Sequence, residues 1–302
     1  MPRIIDLVGS ESCDLTECVD ALNDKGFDPY DEDSLHHAAA WLRKLGNNRD
    51  FLGDLLVDQL AGRENIGVAT AYSPQAIVLS GSDKGFFLRA NIWPAEQDYC
   101  FRASGAQHFA YGAPHDHNFN LLTVGYFGPG YASDYYEFDY EEVAGYRGEK
   151  PPSLRFVERS NLHEGKLMLY RAHVDVHSQI PPESLSVSLN VMATDHMQGW
   201  LDQYGFDLEN GAVSRILNPG GSECLLRIAV GMGGEEARDF AEHVGRHHPA
   251  ERMRLAAFEA RSLLCESEDA RDALWREAEL SGSRMLEMEA KMRRAKLAEL
   301  VG

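Results

Sequence analysis

Gly112-Ala-Pro-His115-Asp116-His117-Asn-Phe-Asn-Leu121-Leu122-Thr-Val-Gly125 carries two histidines two positions apart. On an extended backbone such residues point to one face, so His115 and His117 project side by side and Asp116 projects to the other face. Two imidazoles held together on a rigid strand are a natural start for a transition-metal site. The apolar run after them continues the strand, and Gly125-Tyr-Phe-Gly-Pro-Gly130 forces a turn. A His-x-His pair is common, however; a metal site also needs a third donor and a framework that brings it near.

The surrounding sequence predicts that framework. Short apolar runs bounded by Gly, Pro and Asn occur at 76–80, 86–93, 154–158, 166–172, 184–192 and 212–217. This is the pattern of a sandwich, jelly roll or barrel. In 86–93, Phe86, Leu88, Ala90 and Ile92 form a packing face. The opposite face, Phe87, Arg89, Asn91 and Trp93, mixes aromatics with polar groups as the wall of a polar pocket does. Ser184 to Met192 alternates in the same way: Leu185, Val187, Leu189 and Val191 form the apolar face, and Ser186, Ser188 and Asn190 line a lumen or meet solvent.

Helical spacing flanks the strands on both sides. Leu35, Ala38, Ala39, Leu42 and Leu45 recur at 3.6-residue intervals behind an acidic cap at Asp31, and a second helix spans Phe51 to Leu60 with Gly62 after it. Past Glu223 the spacing is helical again in 234–244, 249–265, 270–280 and 283–300. The expected organisation is a helical segment over 1–65, a β domain over 66–222, and a helical segment over 223–302. The fold class is mainly β with helical flanks.

Charge and cysteine usage narrow the function. Lys and Arg number 29 against 48 Asp and Glu, for a net charge of −19, which disfavours nucleic-acid and anionic-membrane partners. No apolar run approaches membrane-spanning length. The five cysteines are scattered without a CxxC and read as free thiols of a reducing compartment. The N-terminus has no secretory pattern, so the expected location is cytoplasmic. No phosphate loop, dinucleotide fingerprint or nucleophile elbow occurs.

A third donor lies about sixty residues downstream, in Gly165-Lys-Leu-Met-Leu-Tyr-Arg-Ala-His173-Val-Asp-Val-His177. The stretch reads strand, tight turn, strand, with His177 opening the second strand. His173 shares its parity and is the rival third ligand. Here the chain resembles the cupin superfamily. Gly112 with His115-Asp116-His117 is similar to that family's first motif, and Gly165 through His177 is similar to its second, with one residue more than the common spacing. The resemblance covers roughly 70–217 and implies a cupin-type β-barrel, the double-stranded β-helix or jelly roll, with metal ligands His115, His117 and His177. His173 falls where the family tends to place a turn glycine.

One departure carries information. Leu121 or Leu122 stands where the family usually has a glutamate ligand. That leaves three histidines, as in the cysteine-dioxygenase-like branch. In that branch an arginine on an earlier strand clamps the substrate carboxylate, and Arg89 is the candidate analogue. The branch's cysteine and its tyrosine partner have no match here, so a thiol substrate is not implied. Tyr111 is the candidate phenol donor at the site, with Tyr126, Tyr135 and Tyr136 as further tyrosines near the mouth.

Three neutral imidazoles suit Fe(II), with Zn, Mn, Ni or Cu as other divalent candidates. The resulting expectation is a mononuclear non-heme Fe(II) oxygenase or dioxygenase using O2 and a small polar substrate, with amino-acid derivatives among the candidates. The alternative is a non-redox metal-dependent isomerase or lyase, or a small-molecule sensor without turnover. A homodimer through the helical flanks is the expected protein partner.

Overall fold

The computed structural model describes residues 2–62, 75–81 and 84–301. The expected opening of the β domain at residue 66 lies outside the described residues. The chain forms two compact units: Met1–Tyr140 with Pro152–Gln198, and Glu141–Pro151 with Gly199–Gly302.

The first unit opens with a short strand β1 (Arg3–Ile4) and three helices: α1 (Leu15–Lys25), α2 (Glu32–Asn47) and α3 (Phe51–Leu60). Helix α1 starts at a reciprocal cap. The Asp14 carboxylate accepts from the Glu17 N–H at 2.8 Å, and the Glu17 carboxylate accepts from the Asp14 N–H at 3.0 Å. Asp31 caps α2 by accepting from the Ser34 N–H at 2.7 Å. The strands β2 (Ala76–Val78) and β3 (Phe86–Trp93) follow, then the short helix α4 (Tyr99–Ser104), which the periodicity did not reveal. After it come β4 (Leu121–Phe127), β5 (Ala132–Glu137), β6 (Arg155–Asn161), β7 (Leu167–Tyr170), β8 (Asp175–Ile180) and β9 (Ser186–Ala193).

Two antiparallel sheets result. One has six strands in the order β1-β7-β4-β9-β3-β2, and the other has three in the order β6-β5-β8. Strand parity divides the six-stranded sheet. Phe86, Leu88, Ala90, Leu122, Val124, Leu167, Leu169, Leu189 and Val191 form one core with Leu22, Leu35, Leu42 and Leu45 of the helices. The N-terminal helices therefore share a core with the sheet. Burying each such leucine contributes about 1.5–3 kcal/mol. Leu185, expected on this apolar face, precedes β9 and is exposed.

The other face carries Trp93, Leu121, Met168, Tyr170 and Met192, packed with Tyr131 and Tyr135 in a second cluster. Arg89 pairs with Asn190, which also pairs with Thr123, so the three lie in one cross-strand row. Gly125 is required in β4, because a Cβ there would run into the backbone carbonyl of His163.

The second unit contains the hairpin β10 (Tyr204–Asp207) and β11 (Ala212–Ile216), and helices α5 (Gly221–Met232), α6 (Glu235–His247), α7 (Glu251–Ser262), α8 (Glu268–Glu279) and α9 (Arg284–Val301). The hairpin, expected within the β domain, sits in this unit because 141–151 bonds to it. The Gly148 N–H donates to Val213 O at 2.8 Å, and the Val213 N–H donates to Glu149 O at 2.7 Å. Among the described residues helix accounts for 41% against 22% strand, so the class is mixed rather than mainly β. Among the described residues no helix is long and apolar enough to cross a membrane.

Candidate metal centre

The His115–His117 segment is extended but is not part of a regular strand; β4 begins only at Leu121. Pro114 has no N–H to donate to a ladder. The segment is instead pinned by single backbone bonds. The His115 N–H donates to His177 O at 3.0 Å and the His177 N–H donates back to His115 O at 2.9 Å. The His173 N–H donates to His117 O at 2.8 Å. These bonds tie the His-x-His segment to β8 and to the turn before it.

The consequence is a cluster. His115, His117 and His177 offer one nitrogen each, all within 4.8 Å of one another. The ring centroids of His115 lie 5.1 Å from His117 and 4.6 Å from His177, and His117 and His177 are 4.9 Å apart. The Nε2 atoms of His115 and His177 are 3.3 Å apart. Nitrogens bound to one ion at about 2.0–2.1 Å each stand roughly this far from one another.

The donor set fits a divalent metal in a second respect. The His115 Nδ1–H donates to Ala113 O at 2.7 Å, which leaves the lone pair on Nε2, the atom facing His177. Burial lowers the pKa of all three imidazoles; for His117 the neighbouring His115 and then Arg89 add to the effect, and for His177 both other histidines do. The rings are therefore neutral and able to donate at physiological pH. The buried Nδ1 atoms of His117 and His177 have no hydrogen-bond partner among the described residues.

His173 is outside the cluster. Its backbone has φ +60°, the left-handed conformation that glycine adopts most easily. Its ring lies 4.4 Å from Tyr140, and its Nδ1 is 3.9 Å from the buried carboxylate of Asp116. The parity of β8 is preserved through His177, but the turn redirects the side chain four residues earlier.

The surroundings are aromatic. Tyr135 is the β5 residue opposite His177, and its ring is nearly parallel to the imidazole at 6.4 Å. Tyr170 on β7 lies 4.9 Å from the His177 ring and 5.9 Å from the His117 ring. The hydroxyls of Tyr170 and Tyr135 are 2.8 Å apart, with that of Tyr131 3.3 Å from Tyr170. Burial raises the pKa of Tyr170 well above the phenol range and pushes Tyr135 up to about 12. These phenols stay protonated. Phe119 covers His117 at 4.8 Å.

The other expected site residues divide. Arg89 is on the inner row of β3, and its charge acts on both His117 and Tyr131. Tyr111 is buried among Trp93, Phe101 and Phe109, and its hydroxyl donates to Pro94 O at 2.9 Å. Its proton is thus held by the backbone. Tyr126 belongs to the helix-facing core and bonds the carbonyls of Asn48 and Arg49. Ser188 accepts from Trp93 Nε1 at 3.0 Å, and Ser186 Oγ accepts from the Gly130 N–H at 3.0 Å, so both inner serines are used in the framework. Tyr170 and Gln179 were not among the expected site residues. Gln179 is two residues from His177 on β8, so strand parity alone places it on the same face.

No family model and no curated protein matches the sequence. Among solved structures, a DMSP lyase aligns at 11% identity and a TM-score of 0.26, over 42% of this chain and 50% of the lyase. Procruciferin, an 11S globulin from Brassica napus, aligns at 10% identity and 0.26, over 43% of this chain and 28% of its own. A Ralstonia eutropha protein with a provisional mannose-6-phosphate isomerase name aligns at 12% identity and 0.21, over 41% of this chain and 88% of its own. The aligned regions thus span half the lyase chain and under a third of the globulin. At these TM-scores the likenesses carry no weight for chemistry.

Proposed function

We propose that this chain is a metal-dependent enzyme of cupin type, in which His115, His117 and His177 hold one divalent ion, and that the ion is Fe(II) serving oxygenase chemistry on a small polar molecule. The observation that supports this reading is the convergence of three neutral imidazoles, two of them buried and His115 half-buried, on one point from segments far apart in sequence. A three-nitrogen set leaves coordination positions open for a substrate and O2, and the bound iron would supply the electrons that activate O2.

The chain's own residues would do the rest. Arg89 would orient an anionic group of the substrate through its planar fork. The Thr123 hydroxyl and the Asn91 amide oxygen are buried with no hydrogen-bond partner among the described residues, and both lie on the face shared with Arg89. Buried polar atoms without partners call for an occupant. Phe119, Phe87 and Tyr170 would exclude bulk water around the ion. Tyr170, protonated beside two of the ligand rings, is placed to hold a proton near the reacting centre. That same phenol favours a second reading, a lyase or isomerase that moves protons without O2.

The test has two parts. Protein produced in iron-supplemented cells should carry about one iron per chain, and the His115→Ala/His117→Ala double variant should carry none. A panel of small carboxylates and amino-acid derivatives should then include one that triggers O2 uptake. Retention of full metal by the double variant overturns the metal reading. Metal-dependent substrate loss without O2 uptake moves the assignment to the lyase or isomerase reading.

A further inference from the structure

Gln179 places a buried amide beside His177. Gln179 follows His177 by two residues on β8 and is 4% exposed. Its Nε2 lies 3.2 Å from His177 Nε2, a spacing nearly equal to the 3.3 Å between the His115 and His177 nitrogens. Its Oε1 is buried with no hydrogen-bond partner among the described residues. An amide held this deep normally satisfies both ends.

The amide's two ends are nearly the same size and exchange by a half-turn of the side chain. The Gln179 Nε2–H donates to the lone pair of His177 Nε2. A metal ion held by His177 would use that lone pair, and the N–H would then face a cation. Turning the amide would remove this repulsion and bring its oxygen to the same position, 3.2 Å from His177 Nε2. The chain also has leucine at 121 and 122, where no oxygen donor is available from the strand that follows His117.

We infer that Gln179 is the fourth protein ligand of the centre, coordinating through its amide oxygen; this rests on the metal reading above. A neutral oxygen ligand leaves the ion with its full double positive charge, which favours an anionic substrate next to Arg89. A carboxylate at the same point would cancel part of that charge.

Cobalt(II) is the probe, added to metal-free wild type, Gln179→Leu, Gln179→Glu and the His115→Ala/His117→Ala double variant. Affinity is read by competition with a coloured chelator, and coordination by the visible d–d bands. The expected result for Gln179→Leu is a loss beyond the roughly 10–100-fold that removing a ligand's hydrogen-bonded neighbour costs. Its bands should also intensify, as they do when coordination number falls. Gln179→Glu, nearly isosteric, should bind at least as tightly as wild type and keep the wild-type band intensity. It keeps the test decisive where the leucine variant folds poorly. Wild-type bands in Gln179→Leu, whatever its affinity, overturn the inference, because the residue then only positions a ligand. Cobalt binding by wild type no tighter than by the double variant overturns the metal reading itself.

Discussion

His115 and His177 exchange both of their backbone hydrogen bonds across 62 residues of sequence, and the same pairing sets their Nε2 atoms 3.3 Å apart. The histidine cluster is therefore built by backbone bonds, and the side chains only continue it.

His177→Ala should remove metal binding, while His173→Asn should leave it intact. Both are histidines of one segment with the same strand parity, but only His177 belongs to the cluster. Asparagine is chosen because it tolerates the φ of +60° at this position. Metal content by mass spectrometry of the purified variants checks the pair; loss of metal in His173→Asn contradicts the assignment.

Acid should destabilise the metal-free protein from about pH 6.5 downward. Burial lowers the pKa of His173 to about 4. Above pH 6.5 the ring is neutral in both folded and unfolded chains and contributes no pH dependence. As pH falls from 6.5 towards 4, the unfolded chain takes up the proton and the folded chain does not, so stability declines. Below about 4 both are protonated and this slope ends. His115, His117 and His177, whose pKa values burial also lowers, act in the same direction. Urea midpoints measured against pH in chelator should decline less steeply for His173→Asn than for wild type.

Leu42→Ala should cost about 2–5 kcal/mol in urea unfolding. Leu42 is fully buried in α2 against the helix-facing side of the six-stranded sheet, on the opposite face from the histidines. The folded fraction should bind metal with unchanged stoichiometry. A variant that unfolds at the wild-type midpoint would show that the helices contribute little to the shared core.

Gly130→Ala should cost at least about 1–3 kcal/mol. Gly130 has φ +79°, and a Cβ there would strike the Leu162 carbonyl. The Gly130 N–H also bonds Ser186, which joins this turn to β9. Thermal unfolding checks it, and an unchanged Tm would mean the turn relaxes without cost.

Much of this was legible in the residues. The 3.6-residue spacing of Leu35, Ala38, Leu42 and Leu45 marked α2, and Phe51 to Leu60 is α3 as read. Two-residue parity separated Leu88 and Ala90 from Arg89 and Asn91 on β3, because adjacent side chains on a strand must point to opposite faces. Parity also brought the His-x-His pair to one side. It could not choose between His173 and His177, since both have the same parity. That choice depends on the turn after β7, where His173 enters the left-handed region and points to Tyr140 and Asp116. Nor could it show that the hydroxyl of Tyr111 is held by Pro94 while Tyr170 lies beside the rings of His117 and His177, because those contacts join segments distant in the chain. Local periodicity comes from backbone geometry, which each residue carries with it. The assembly of three nitrogens and an amide around one point comes from the register between strands, which exists only when the sheets have formed.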